Sequence, residues 1–123
     1  MLEVYSINVE AAANAALPLN NVSYKKGCNV EPSGTSSIAL NRCGVYEVSV
    51  DGSAAASTTV QLYKNGIAQA QAQSTGANPS FTTFVSVEDN NTCCPCTSPV
   101  LIQVMNTVET TFNNINVAVR KVR

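Results

Sequence analysis

The fold is decided by the segment GVYEVSV at residues 44–50. Successive side chains of a β-strand point to opposite faces, so Tyr46, Val48 and Val50 share one face and the polar side chains between them share the other. Valine and tyrosine are also enriched in strands. The segment therefore predicts a strand that buries one face and exposes the other.

The same period of two recurs along the chain and predicts further strands. It is clear in VQLYKNG at residues 60–66 and in NINVAV at residues 114–119. In an earlier strand, Tyr5, Ile7 and Val9 are expected to share one face. Similar segments centre on residues 22–24, 38–40, 81–87 and 100–105.

An Asn-Gly pair at residues 65–66 predicts a type I′ hairpin turn, because both residues accept positive φ angles. Ala and Gln alternate over residues 68–73; both favour helices, but the tract directly follows the turn, and we expect a strand. Its Gln side chains would face water, form polar ladders between subunits or bind carbohydrate. Eight or nine short strands without a long helix predict one all-β domain over residues 1–123, an antiparallel sandwich or jelly roll.

The composition excludes several classes of function. Charged residues make up 12% of the 123 residues and the net charge is −1, with no basic cluster apart from Arg120, Lys121 and Arg123. We therefore expect no nucleic-acid partner, since such binding needs a positive stripe that neutralises phosphates. The apolar runs are too short to cross a bilayer, so no membrane insertion is expected. No basic segment precedes an apolar run near Met1, so we also expect no signal peptide.

No set of residues suggests catalysis, and we predict no catalytic residue, no cofactor and no enzymatic activity. Histidine is absent, which removes the commonest general base and the usual catalytic triads. Glu88 and Asp89 are adjacent in sequence, so their side chains would point apart at a strand end. The seven aromatic residues, which include no tryptophan, are expected in the core or in the apolar interior of a trimer.

The five cysteines are the most informative polar residues. Cys28 and Cys43 each lie beside a glycine at the ends of neighbouring strand-like segments, and they are a candidate disulfide. Closing that loop would stabilise the fold by a few kcal/mol in the loop-entropy model. The α-carbons would have to lie within about 7 Å, which spacing alone does not establish.

The second group of thiols is the loop CCPC, with Cys93, Cys94 and Cys96. Three interpretations stay open: disulfides within or between subunits, thiols without a role, and a site for zinc with three thiolate ligands. The metal site is the least favoured, because histidine is absent and no second Cys-x-x-Cys pair exists. We therefore assign no metal ligand.

The segments GVYEVSV and VQLYKNG resemble the middle of the C1q/tumour-necrosis-factor jelly-roll superfamily, in which a glycine-aromatic strand precedes a strand that ends in a Leu-Tyr-Lys-Asn-Gly-type hairpin. The strand at residues 100–105, a polar turn and a closing strand at 115–119 fit the same pattern. The resemblance implies a ten-stranded sandwich that assembles as a tight trimer. Similar jelly rolls occur in bacteriophage head fibres and decoration proteins and in spore-surface proteins. The chain lacks the collagen-like Gly-X-Y stalk of some members.

These observations favour a structural or surface-binding role. We expect a homotrimeric decoration or fibre-head domain of a phage or prophage virion, with a capsid, a host-surface receptor or a glycan as partner. Its location would be the virion or the extracellular surface, reached without a signal peptide. Three alternatives remain: a spore- or cell-surface C1q-like protein, a receptor-binding ligand of the tumour-necrosis-factor type, and a small thiolate metal protein.

Overall fold

Residues 1–87 and 100–123 are described in the computed structural model, and they form eleven strands and no helix. Every segment that has a period-two pattern in the sequence forms a strand in the structure. The strands are β1 (Leu2–Ala11), β2 (Ala15–Ala16), β3 (Asn21–Lys25), β4 (Val30–Ser33), β5 (Ser37–Leu40), β6 (Gly44–Ala54), β7 (Thr58–Lys64), β8 (Ile67–Gly76), β9 (Ser80–Val87), β10 (Val100–Asn106) and β11 (Thr110–Lys121). The short strands β2 and β4 are additional to those that the sequence predicts.

The strands form two antiparallel sheets that pack face to face. The five-stranded sheet has the order β3-β1-β11-β6-β9. In the six-stranded sheet the order is β4-β5-β10-β7-β8, and β2 pairs with β10. Strands distant in sequence are neighbours, as where β1 pairs with β11 from Leu2 opposite Val119 to Ala11 opposite Thr110. This arrangement is a jelly roll, as the sequence predicts.

The core lies between the sheets and is lined by the faces that the alternation predicts. Tyr46, Val48 and Val50 of β6 are fully buried, and so are Val60 and Leu62 of β7. Burying such a side chain stabilises the fold by about 1.5–3 kcal/mol each. The Val and Ile side chains of β11 complete this layer; they are Ile115, Val117 and Val119.

The predicted hairpin turn is confirmed. Asn65 and Gly66 have φ angles of 50° and 80°, and Lys64 pairs with Ile67 across the turn. Two positive φ angles in a two-residue loop define a type I′ turn. Asn65 also attaches the hairpin to β10, because its Oδ1 accepts a hydrogen bond of 2.9 Å from the amide of Leu101.

The predicted face of the first strand is wrong beyond Ile7. Val4 and Ser6 are buried, so Tyr5 and Ile7 point outward, whereas Val9 packs against the core. The change of face occurs at Asn8, whose φ angle of 49° is left-handed. Asparagine tolerates this conformation better than most residues do, and a period-two pattern does not reveal it.

The alternation over residues 68–73 is interrupted by a bulge. Gln61 pairs with Gln73 but Tyr63 pairs with Ala68, so β8 contains additional residues between these two pairs. Among the alanines of this tract, Ala72 is buried and the others are exposed. The extended structure is confirmed, and Gln71 and Gln73 are exposed while Gln69 is half-buried, but the bulge breaks the regular alternation.

Candidate association surface

The outer face of the five-stranded sheet carries large apolar side chains at its two margins. Phe84, on the edge strand β9, is 59% exposed. At the other margin, Ile7 of β1 is 59% exposed and Tyr24 of the edge strand β3 is 47% exposed. Phe84 lies opposite Glu47 and Tyr24 lies opposite Glu3, and Ile7 follows the outward Glu3 by four residues along β1, which places all three side chains on the outer face. Contiguous exposed apolar patches mark protein interaction surfaces, whereas single exposed apolar residues are ordinary on a protein surface.

Between these margins, the polar side chains of the outer face are paired with neighbours on adjacent strands. Glu47 forms an ion pair of 3.0 Å with Arg120. The hydroxyls of Ser49 and Thr82 are hydrogen-bonded at 3.1 Å, and that of Ser80 donates to Asp51 at 2.7 Å.

A carboxylate near the other margin is held in the same way. Glu3 accepts hydrogen bonds from the hydroxyl of Ser23 at 2.5 Å and from the amide of Asn116 at 3.4 Å. Polar groups that already have partners lose less free energy when water is removed than unpaired groups do. The centre of this face can therefore be covered by another protein surface while its hydrogen bonds persist.

The outer face of the six-stranded sheet also carries polar side chains that have partners. Its polar side chains bond within the sheet, as where Thr59 and Thr75 are hydrogen-bonded at 2.7 Å. Gln69 and Gln73 donate to carbonyls of their own strand, those of Ile67 and Ala70. These amides are therefore engaged by the bulged edge strand. Carbohydrate binding and a polar ladder between subunits, two of the alternatives for this row, remain predictions.

The last residues of the chain are ordered along β6. The amide of Val122 donates to the carbonyl of Val45 at 2.8 Å, and the amide of Val45 donates to the carbonyl of Arg123 at 3.3 Å. Gly44 permits this approach, because an added Cβ would overlap with the Arg123 carbonyl oxygen. The basic residues at 120–123 are thus fixed beside the start of β6.

The candidate disulfide between Cys28 and Cys43 is wrong. Cys28 has a free, exposed thiol, whereas Cys43 is disulfide-bonded. Val30 pairs with Leu40, and the amide of Asn41 donates to the carbonyl of Asn29 at 2.8 Å. Continuing this register would place Cys28 opposite residue 42 rather than 43. A one-residue offset directs a strand side chain to the other face.

The other candidate ligands and cavities are as follows. Cys93, Cys94 and Cys96 lie outside the described residues, so their thiolate and disulfide interpretations remain predictions. Within residues 1–87 and 100–123, no group of three or more His, Cys, Asp or Glu could hold a metal ion. A polar cleft of about 460 Å³ at the end of β1 is lined by Glu10 and Glu109, with alanines and threonines between them.

No helix in the described part of the chain is long and apolar enough to cross a membrane.

The aromatic residues are divided between two environments. Tyr46 and Phe112 are fully buried in the core, whereas Phe84 and Tyr24 are exposed on the outer face described above. Hydrophobicity alone does not separate these two groups in the sequence.

Comparison with solved structures supports the architecture. The globular domain of zebrafish complement 1qA protein has a TM-score of 0.73 and 7% identity, over 99% of this chain and 96% of that one. For the vertex protein P5 of phage PRD1 these values are 0.68 and 11%, over 99% and 96%. Rabbit GITRL, a tumour-necrosis-factor-like protein, has a TM-score of 0.63 and 12% identity, over 100% and 95%.

No family model matches the chain, and no curated protein matches its sequence. At identities of 7–12%, the structural likeness shows the fold alone. The chain has the C1q/tumour-necrosis-factor-like jelly-roll fold, and one of the similar structures is a phage protein. The expected resemblance is therefore confirmed at the level of fold.

Proposed function

We propose that residues 1–123 form a single structural domain that assembles as a homotrimer through the outer face of the five-stranded sheet. The observation that carries this proposal is the pair of apolar margins on that face, with Phe84 on one side and Ile7 and Tyr24 on the other. The polar groups between the margins are paired within the chain. The trimer that the C1q/tumour-necrosis-factor-like fold implies supports the same assignment.

The position of the margins suggests how the subunits would meet. Interfaces in a cyclic trimer are heterologous, so one patch of each subunit contacts a different patch of the next. Phe84 of one copy would contact Ile7 and Tyr24 of its neighbour, and the third copy would close the ring. A heterologous contact that closes in this way leaves no apolar margin exposed.

In biological terms, we infer a decoration or fibre-head domain of a phage or prophage particle, located on the virion. The fold shared with the PRD1 vertex protein P5 over 99% of this chain supports this role. A charged content of 12% fits a subunit that covers much of its surface in an assembly. An alternative, a C1q-like protein of a spore or cell surface, is supported by the likeness to the zebrafish globular domain.

Light scattering tests the assembly. A homotrimer of a 12.9 kDa chain would have a mass of about 39 kDa, three times the chain mass. Phe84→Glu places a charge at the proposed contact and should yield a monomer. The matched control is Ile67→Glu, which alters another exposed apolar residue, 68% exposed, at the hairpin turn; it should remain trimeric. A monomeric wild-type protein, with and without reductant, would contradict the proposal.

The biological location needs a separate test. Antibodies against the chain would be applied to particles released by lysis of the source cells and to the cell envelopes and spores of the same culture. Labelling of particles supports the virion role. Labelling confined to envelopes or spores would overturn that role in favour of the surface-protein alternative, without affecting the trimer.

A further inference from the structure

The fold gathers the basic residues of the chain at one end of the sandwich. The chain contains seven Lys and Arg residues, scattered from residue 25 to residue 123 in the sequence. In the structure they lie at or beyond the strand ends on one side: where β3 and β11 end, before β6 begins, and where β7 ends. Five of them have no carboxylate partner among the described residues, and we name these the basic rim: Lys26, Arg42, Lys64, Lys121 and Arg123.

Three members of the basic rim meet around the start of β6. Arg42 lies two residues before Gly44, and the carbonyl of Arg123 accepts a hydrogen bond from the amide of Val45. Lys121 extends toward the same place, because its Cε lies 2.8 Å from the position that a Cβ on Gly44 would take. The start of β6 and the end of β11 thus bring these three charges together.

The other two members extend the basic rim across the sheet. The Nζ of Lys64 donates a hydrogen bond of 2.6 Å to the carbonyl of Ser86, and Ser86 lies opposite Val45. At the other side, Lys26 directly follows β3, whose Lys25 pairs with Leu2, and Leu2 pairs with Val119 of β11. The basic rim therefore extends from β3 across β11 and β6 to β9.

The remaining charges make this end distinct. Lys25 and Arg120 form ion pairs with Glu31 and Glu47, at 3.6 Å and 3.0 Å. Within residues 1–87 and 100–123 no other ion pair occurs. In the same part of the chain, the opposite end carries acidic side chains, including Glu10 and Glu109, and no Lys or Arg.

We infer that the basic rim binds a polyanionic glycan, one that bears sulfate, phosphate or carboxylate groups. Its five cations lie on turns and strand ends at one end of the sandwich, which gives the charge complementarity that such a polymer requires. A nucleic acid is a poorer fit. The strand ends offer no helix or ribbon to enter a groove.

The basic rim is complete within one chain, so this inference goes beyond the proposed trimer and does not depend on it. A cyclic trimer would nevertheless strengthen the binding. Rotation about the symmetry axis leaves the height along that axis unchanged, so the three rims would lie at one level and engage one polymer together. Linked sites of this kind gain affinity through effective concentration.

The test is the salt dependence of binding to heparin, a sulfated glycan, measured by surface plasmon resonance. If five charges are neutralised, the logarithm of the affinity should fall against the logarithm of the salt concentration with a slope of about −3.5, as for flexible single-stranded polyanions. Lys26→Gln, Arg42→Gln and Arg123→Gln together should weaken binding on the order of ten-fold at low salt. These three side chains are exposed.

A matched variant separates the basic rim from net charge. Ala13→Glu, Ala55→Glu and Ala56→Glu add three negative charges in exposed turns distant from the rim, so this variant and the triple Gln variant both change the net charge from −1 to −4. The Ala variant should retain heparin binding. Equal loss in both variants, or no heparin binding by the wild type at low salt, would overturn the inference.

Competition identifies the polymer. Heparin and single-stranded and duplex DNA would each be used, at equal anionic charge, to displace the protein from immobilised heparin. Better competition by heparin supports the glycan. Better competition by either DNA would overturn the glycan assignment. Light scattering of the same samples reports the trimer separately, so failure of the proposed assembly and failure of glycan binding give different results.

Discussion

Thr58 and Asn106 are joined by a buried hydrogen bond of 2.6 Å across 48 residues of sequence, donated by the Thr58 hydroxyl to Oδ1 of Asn106. The side-chain nitrogen of Asn106, Nδ2, donates to the carbonyls of Val108 and Ala12, at 2.7 Å and 3.2 Å. Asn106 is fully buried, yet each of its polar atoms has a partner. One side chain thus links β7, β10 and the turn after β1.

Asn106→Ala should destabilise the domain by about 2–4 kcal/mol, because it removes the donor to the Val108 and Ala12 carbonyls and the short hydrogen bond of the Thr58 hydroxyl, and it creates a small cavity. The free energy of unfolding would be measured by urea denaturation. Asn113→Ala, at an exposed position on β11, is the control and should change it by less than about 0.5 kcal/mol. Equal effects of the two substitutions would contradict a structural role for the buried network.

Gly44 should tolerate substitution poorly for two reasons. Its φ angle of 142° is unfavourable for a residue with a side chain, and an added Cβ would overlap with the backbone of Arg123. Gly34 also has a positive φ angle, 71°, but an added Cβ there would meet no atom within 4 Å. Substitution of Gly34 by alanine therefore reports only the free-energy cost of a positive φ angle in a residue with a side chain, about 1–2 kcal/mol.

We expect Gly44→Ala to lower the melting temperature clearly more than Gly34→Ala does. The difference arises because residues 122–123 must move away from β6, and the hydrogen bonds of Val45 with Val122 and Arg123 would break. Hydrogen exchange at the Val45 and Val122 amides would report this loss directly. Equal melting temperatures for the two variants would show that the contact at Gly44 contributes little.

The cysteine assignments can be tested by alkylation of the native protein without reductant. Cys28 lies in the tryptic peptide 27–42 and Cys43 in the peptide 43–64. The exposed Cys28 thiol should be modified, whereas Cys43 should react only after reduction. Cys28→Ser is the control and should remove the label from its own peptide alone. A native label on Cys43 would contradict its disulfide.

The sequence predicts those parts of the fold that depend on one strand or one turn. The alternation of Tyr46, Val48 and Val50 with polar residues is visible because the whole pattern lies within a single strand. The turn at Asn65 and Gly66 is visible because it depends on the φ angles that two adjacent residues accept. These features need no information about which strand lies alongside.

Features that depend on strand pairing could not be predicted. The left-handed Asn8 and the bulge before Gln73 change the outward face without changing the composition of their strands. The basic rim is invisible for the same reason, since Arg42 and Lys121 become neighbours only when β6 and β11 pair. The free Cys28 thiol and the disulfide of Cys43 likewise depend on which residues the fold brings together.

The contact between Phe84 and Ile7 of neighbouring subunits makes the last prediction. Phe84→Lys or Ile7→Glu alone should give a monomer, because each leaves a charge against an apolar surface that cannot pair with it. The double variant should recover the mass of about 39 kDa, since Lys on one copy would face Glu on the next in a heterologous ring. Recovery should weaken in high salt, which screens the new ion pair.

Tyr24→Lys combined with Phe84→Lys is the matched control, because it places two like charges on the same face and should remain monomeric at every salt concentration. If both single variants are monomers and the combination of Phe84→Lys with Ile7→Glu also stays monomeric, Phe84 and Ile7 do not face each other across the interface. A trimer in all variants would instead show that the subunits associate through another surface. Recovery of the three-chain mass, confined to the oppositely charged pair, is the outcome expected of margins that meet head to tail, because a two-fold symmetric contact between the same residues would recover a dimer instead.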